Sequence, residues 1–337
     1  MPKQSLLKVG GGLLHSHEGK LLLVVVALAV FLSVATPSFL SAENMLDLLT
    51  SYAFSGMLAA GLLVVLISGG IDISFTATAS VAQYVAMTVA QHYHIGWVEL
   101  IAIAGGIGIA CGLLNALLIG TLGLSSIIVT IATLNVFFGL LMFFTHGNEM
   151  FALPDWFVNG TNWVVYTDSD QNPYVFNLQM IGLIGAFVVT AILLTRTNIG
   201  RQIYALGSNV EAAKRVGVKV FQLNLLVYGY MGFVAGMASL IQAQYAQSVS
   251  PNALVGRELD VLAAVVLGGA SLTGGVGTVF GTILGVMLLA FLQNGLLLLG
   301  VQSYWSQCFT GAVILIAVSA LAIERQRHRA SARRVMA

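Results

Sequence analysis

The chain has 337 residues, 58% hydrophobic and only 8% charged, against roughly 25% charged residues in soluble globular domains. That composition excludes a soluble enzyme and leaves room for about ten membrane spans of roughly 20 residues. The net charge of +1 comes from short basic clusters and not from one basic face, which argues against a nucleic-acid partner.

No lysine or arginine occurs in the 175 residues 21–195. The 14 basic residues fall in three clusters (Lys3/Lys8/Lys20, Arg196 to Lys219, Arg325 to Arg334), with Arg257 apart. Basic residues flanking spans stay on the cytoplasmic side, so both termini and one central loop are expected in the cytoplasm. Apolar runs predict ten spans, at about 21–40, 51–68, 74–91, 97–120, 125–145, 178–195, 221–242, 259–272, 278–299 and 304–323. The expected organisation is an all-α polytopic protein. A tail (1–20) precedes one transmembrane domain (21–323), with an outer loop at 146–177 and a cytoplasmic loop at 196–220, and a basic tail (324–337) follows. Five crossings put 146–177 outside, where Glu149, Asp155, Asp168 and Asp170 sit without a basic residue, and the sixth returns the chain at Arg196.

Taken in chain order, Ser33-Val34-Ala35 has the small-x-small form of a signal-peptide cleavage site, but the apolar run continues to Leu40 and suits a retained span. Cys111 and Cys308 both lie in apolar segments and read as small buried hydrophobes, without a metal or disulfide framework. Ser68-Gly-Gly-Ile-Asp72 interrupts the second and third spans, and Gly274-Gly-Val-Gly277 follows a short eighth span. Such irregular backbone is tolerated in a membrane only where lipid does not reach it. Residues 64–70 faintly echo 265–269. The 37 glycines mostly allow close helix approach.

In the 196–220 loop, Ser208 followed by Glu211 predicts a capping box, and Gly217 suits the left-handed residue that ends a helix. A two-turn helix over 209–216 is expected between them, with Glu211 and Arg215 paired at i,i+4. Two turns are marginal in water, so this helix needs a contact beyond itself.

The stretch Gly200-Arg201-x-Ile-Tyr204-Ala205-x-Gly207-x-Asn209-x-x-Ala212-Ala213-x-x-x-Gly217 resembles the cytoplasmic coupling segment of ribose-type ABC importer permeases, which import monosaccharides or autoinducer-2. Three further stretches resemble the same family in the same order: Ser68-Gly-Gly-Ile-Asp72-Ile-Ser74; Gly112-Leu-Leu-Asn115 with Thr130 and Leu134; and Val266-Leu-Gly-Gly-Ala-Ser-Leu-Thr-Gly-Gly-Val-Gly277 running to Gly281. They cover about residues 51–299. Ala116 and Ser125-Ser126 depart from the family's usual glycine and proline. The resemblance implies a permease subunit of a bacterial inner-membrane importer with no cofactor of its own. Its implied partners are cytoplasmic ABC ATPase subunits, a periplasmic sugar-binding protein and a second permease subunit, a copy or a paralogue. It also implies that Gly200, Arg201, Tyr204, Ala205, Gly207, Asn209, Glu211, Ala212, Ala213 and Gly217 form the surface that docks on the ATPase.

Polar residues within spans are expected to pack helices or line a path, and for Asp72, Asn115, Thr130, Asn135, Gln242 and Asn294 both readings stand. Asp72, near the cytoplasmic end of its spans, is the N-cap of the span near Ser74, part of a gate or of the ATPase contact, or both. Arg257, Glu258 and Asp260 are expected at the outer end of the eighth span, as an ion pair three residues apart. They either touch an arriving binding protein or anchor the interface. No G-x-x-x-x-G-K-[ST] occurs, so the chain lacks its own ATP site. The alternative to a subunit driven by a partner ATPase is an ion-coupled secondary transporter, which would place ionisable groups at midplane.

Overall fold

A computed structural model describes residues 16–302 apart from 160 and 168–172, together with 304–305, 307–312 and 315. Helix α1 (His17–Ala35) starts behind Ser16, whose hydroxyl accepts the Gly19 amide at 3.0 Å. Next come α2 (Ala42–Ser51) and α3 (Ala53–Ile67), bent by 52° at Tyr52. An extended segment leads to α4 (Phe75–His92), α5 (Trp97–Leu122) and α6 (Ser126–Thr145). After the one-turn α7 (Asp155–Val158), strands β1 (Asn162–Thr167) and β2 (Pro173–Asn177) form an antiparallel hairpin. The chain continues through α8 (Leu178–Arg196), α9 (Asn198–Ser208), α10 (Val210–Arg215), α11 (Val220–Ala246), α12 (Arg257–Leu267) and α13 (Val279–Leu298).

Six of these helices, α1, α5, α6, α8, α11 and α13, are long and apolar enough to cross a membrane, and the bent α2–α3 pair is a seventh candidate. Helix α3 is apolar throughout and buried on every side except at Ser55. It is the axis of the bundle, packed against α8, α11, α12 and α13. By contrast, little of α1, α6 and α8 is buried, as expected of helices whose outer faces meet acyl chains. We call the end carrying α9 and α10 the basic end and the opposite end the hairpin end.

The tightest packing joins α5 to α11, which run antiparallel with glycines in register. A Cβ on Gly108 would stand 2.0 Å from the Gly232 carbonyl oxygen, and one on Gly236 would stand 2.3 Å from that of Ala104. In lipid, with little hydrophobic drive between helices, such approach and its van der Waals contacts hold helices together. Helix α13 approaches α12 in the same way, with Gly285 against Ala264 and Gly281 against Gly268. The amides of Asn44 and Asn294 exchange two hydrogen bonds, at 3.1 and 2.9 Å, and the Tyr52 hydroxyl donates to Gln293 Oε1 at 2.6 Å.

Several expectations need correction. The protein is not purely helical, because the 146–177 loop holds the β1–β2 hairpin. Its Trp-Val-Val-Tyr and Tyr-Val-Phe runs are rich in the β-branched and aromatic residues that favour strands. The span drawn at 51–68 is the 15-residue α3 continued by the bent α2. The span drawn at 259–272 is the 11-residue α12, about 16 Å long, too short to cross alone. Most of the tenth span and the tails 1–15 and 316–337 lie outside the described residues, as do Asp168 and Asp170.

Replacing Gly232 by alanine forces a methyl group onto the α5 backbone and is expected to cost about 1–3 kcal/mol. A lower melting temperature in detergent should report it. Gly106→Ala, where a Cβ meets nothing within 4 Å, should leave the melting temperature unchanged.

Candidate functional site

Two glycine turns and one loop helix meet at the basic end. Helix α3 ends in a turn in which the Gly69 amide donates to Leu66 O and the Gly70 amide to Val65 O. Helix α12 ends in the same turn, with Gly269 donating to Val266 O and Ala270 to Val265 O. Gly69 and Gly269 take positive φ values of 89° and 95°, which is why each helix stops at a glycine. The chain then folds back so that the Gly275 amide donates to the Ile67 carbonyl at 2.9 Å. Gly207, near the end of α9, closes over this bond, and a Cβ there would lie 1.8 Å from Ile67 O and 2.5 Å from Gly275 N. Nearby, the Tyr204 hydroxyl donates to Gly277 O at 2.7 Å, and burial holds its pKa above the ordinary phenol value. The loop helices are thus joined backbone to backbone with two elements of the bundle.

The expected surface residues divide accordingly. Gly207 and Tyr204 are anchors, and Ala205 is half-buried beside them. Gly200 also serves packing, since its Cβ would meet Leu194 O at 2.3 Å. Arg201 is exposed and bonded to Asn198 of its own turn. The capping box does not form: the Ser208 hydroxyl donates back to Tyr204 O at 2.8 Å, and Asn209 caps α10 by accepting the Ala212 amide at 2.9 Å. Asn209 can cap because Ser208 already closes the preceding helix. Glu211 pairs with Lys214 at 2.9 Å instead of Arg215, and Gly217 takes the expected positive φ of 88°. Ala213 is buried, whereas Asn209, Ala212 and Val216 are exposed, so the open tip of α10 is small and partly apolar.

Above this junction the extended segment 70–74 climbs back into the bundle. Asp72 is 2% exposed, and its Oδ1 accepts from the Ser74 amide at 2.8 Å and the Ser74 hydroxyl at 2.7 Å. It is therefore not the N-cap of α4 but the acceptor of a turn two residues ahead of it, with Ser74 at the cap position. The Asn115 amide donates to Ser74 Oγ at 2.7 Å, while its own Oδ1 is buried without a partner among the described residues. The Thr130 hydroxyl donates to Ile71 O at 3.3 Å, and Ser126 Oγ accepts the Ile71 amide at 3.0 Å. Gly70 leaves room for the Tyr228 hydroxyl, which a Cβ would approach to 2.4 Å. Asn115 lies seven residues before the end of α5 at Leu122, so this cluster sits about 10 Å inside the bundle.

Asp72, Asn115 and Thr130 therefore come together, while the other three polar candidates do not join them. Asn135 is exposed and donates to Ile131 O of its own helix at 2.8 Å. Asn294 is spent on Asn44. Gln242 is half-buried on α11 with no hydrogen bond among the described residues. Ser74, Ser126 and Tyr228 were missed by sequence reasoning. Ser74 stands in the quoted motif and Ser126 in a noted departure, but nothing marks Tyr228 in an apolar helix.

The trio on α12 also sits elsewhere. Glu258 Oε2 accepts from Thr76 Oγ1 at 3.2 Å and from the Gly256 amide at 3.0 Å. The Arg257 guanidinium lies over the Phe54 ring at 5.8 Å and makes no ion pair with Asp260.

A family described as branched-chain amino acid transport system / permease component matches residues 44–318. The chain belongs to this permease family. It is 37% identical over 293 residues to the ribose import permease protein RbsC of Bacillus subtilis, covering 86% of this chain and 88% of that one. It is 31% identical over 318 residues to the L-arabinose ABC transporter permease protein AraH of Azospirillum brasilense (93% and 90% covered). It is 28% identical over 305 residues to the autoinducer 2 import system permease protein LsrC of Yersinia pseudotuberculosis (89% and 83% covered). No solved structure matches the chain.

Ser74→Ala removes the hydroxyl shared by Asp72 and Asn115 and is expected to cost this permease about 1–3 kcal/mol, because both partners stay buried. Thermal unfolding in detergent should show the loss, and Ser55→Ala, on the open edge of α3, should not.

Proposed function

We propose that the chain is the membrane-spanning subunit of an ATP-driven, binding-protein-dependent importer of a monosaccharide or related sugar-like solute. Two such subunits form the path, in a bacterial inner membrane. Ten passes put both termini and the 196–220 loop in the cytoplasm, in line with the 175-residue interval free of lysine and arginine. Hydrolysis belongs to separate ATPase subunits, and the α9–α10 unit transmits it, with Asn209, Ala212 and Val216 at the docking tip. The relatives named above are permeases for ribose, arabinose and autoinducer 2, which favours this reading over ion-coupled transport.

One observation carries the mechanism: Gly207 touches both Ile67 and Gly275 through backbone atoms. Backbone contacts at this range leave no slack, so a displacement of α9 moves the end of α3 and the glycine loop between α12 and α13 together. The segment after α3 leads within five residues to Asp72, Asn115 and Thr130. A force applied at α10 is thus delivered to the polar cluster that closes the basic end of the bundle. The same cluster, buried and nearly solvent-free, serves as the inner gate.

Reconstituted with an ATPase and a binding protein, the permease should accumulate a pentose in an ATP-dependent manner. Vanadate should abolish uptake and a protonophore should leave it intact, and the reverse pattern would overturn the proposal. Ala212→Trp, which fills the open tip of α10, should abolish co-purification of the ATPase while the permease elutes as a single species of unchanged size. Retained ATPase binding and full uptake would remove α10 from the docking surface.

A further inference from the structure

The chain between α11 and α12 covers depth without helix. At the hairpin end, Val249 pairs with Met150, whose sulfur accepts from Thr88 Oγ1 on α4 at 4.0 Å. Nine residues later Glu258 accepts from Thr76, on the same α4, at 3.2 Å. Thr76 and Thr88 are twelve helical residues apart, about 18 Å along the axis. Residues 250–256 therefore travel about 18 Å through the bundle as turns, and Asn252, Ala253, Val255 and Gly256 are exposed along them. Phe54, beneath Arg257, gives an independent measure of depth. It stands thirteen residues before Ile67, about 20 Å from the basic end. The first turn of α12 is thus near the middle of a hydrocarbon layer about 30 Å thick.

Lipid does not accept such a surface. Irregular backbone at that depth occurs only where protein buries it or where it borders water. The same holds for ionisable side chains, yet Asp260 is exposed and the neighbouring Leu259 is 63% exposed.

We propose that residues 250–256 and the first turn of α12 form a wall of the water-filled path, where Asp260 accepts hydroxyl hydrogens of a neutral polyhydroxy solute. Arg257 and Glu258 are then lining residues at mid-depth, not an outer docking rim for the binding protein. The assignment deepens the importer reading and depends on it only for the kind of solute.

The test uses the reconstituted permease–ATPase complex with Cys111 and Cys308 replaced by alanine. Val255→Cys and Asp260→Cys are exposed to the impermeant cationic thiol reagent MTSET, with Ile184→Cys on the exposed face of α8 as the lipid-facing control. The two wall cysteines should label to completion while the α8 cysteine stays unmodified. Wall cysteines as unreactive as the control would overturn the proposal. In the same vesicles Asp260→Asn should lower the uptake rate of the accumulated pentose about tenfold, the loss of one charged hydrogen bond, at unchanged yield of complex. Unchanged uptake would remove the solute contact. Uptake without ATP would overturn the importer reading alone, because labelling reports the wall whatever drives transport.

Discussion

The hydrogen bond from the Gly275 amide to the Ile67 carbonyl, covered by Gly207, is the contact on which the other features depend. Helices α3 and α12 both end inside a protein meant for lipid, and a helix end leaves carbonyls without partners. In hydrocarbon no water can satisfy them, and each open group costs several kcal/mol. The matched glycine turns seal most of these carbonyls locally, and the Ile67–Gly275 bond seals one by joining the end of α3 to the loop that follows α12. Once joined, they leave a narrow slot that only a residue without a side chain can close. The loop helices are therefore fixed to the bundle by a requirement of solvation, and their mechanical use follows from it.

The same requirement explains why Asp72 sits where it does. The extended segment 70–74 cannot pair with a strand, so its amides and carbonyls are met by side chains: Ser126 and Thr130 at Ile71, and the Asp72 carboxylate at Ser74. Two of these groups come from α6 and the third from the segment itself. A small shift of the α3 terminus consequently changes several hydrogen bonds at once, which suits a closure that must be either made or broken.

Much of this was legible in residue order. The glycine turns at Gly69 and Gly269 occupy the two stretches that faintly echo each other, and both helices close with the same hydrogen-bond pattern. The long apolar helices and the Gly217 terminus follow from periodicity and from the left-handed preference of glycine. The depth of α12 was not legible, because Arg257, Glu258 and Asp260 look like an ordinary charged helix start at a membrane rim. The bond from Thr76 and the Phe54 ring beneath Arg257 are what point to their depth. The bend at Tyr52 carries no proline or glycine signal, and tertiary pairing with Gln293 decides it. Asn209 displaced Ser208 as cap because Ser208 belongs to a preceding helix, α9, that residue order did not suggest.

Helix α1 has a consequence for how the protein is made. Its contacts lie almost wholly with the distant end of the chain: His17 bonds to Leu267 O, Glu18 to Thr278, and Leu32 fills the space beside Gly295. This helix therefore waits for a partner some 250 residues later in the chain before it finds its neighbour. Throughout synthesis it must survive as a lone apolar rod in the bilayer, and its nearly uniform hydrophobicity lets it do so.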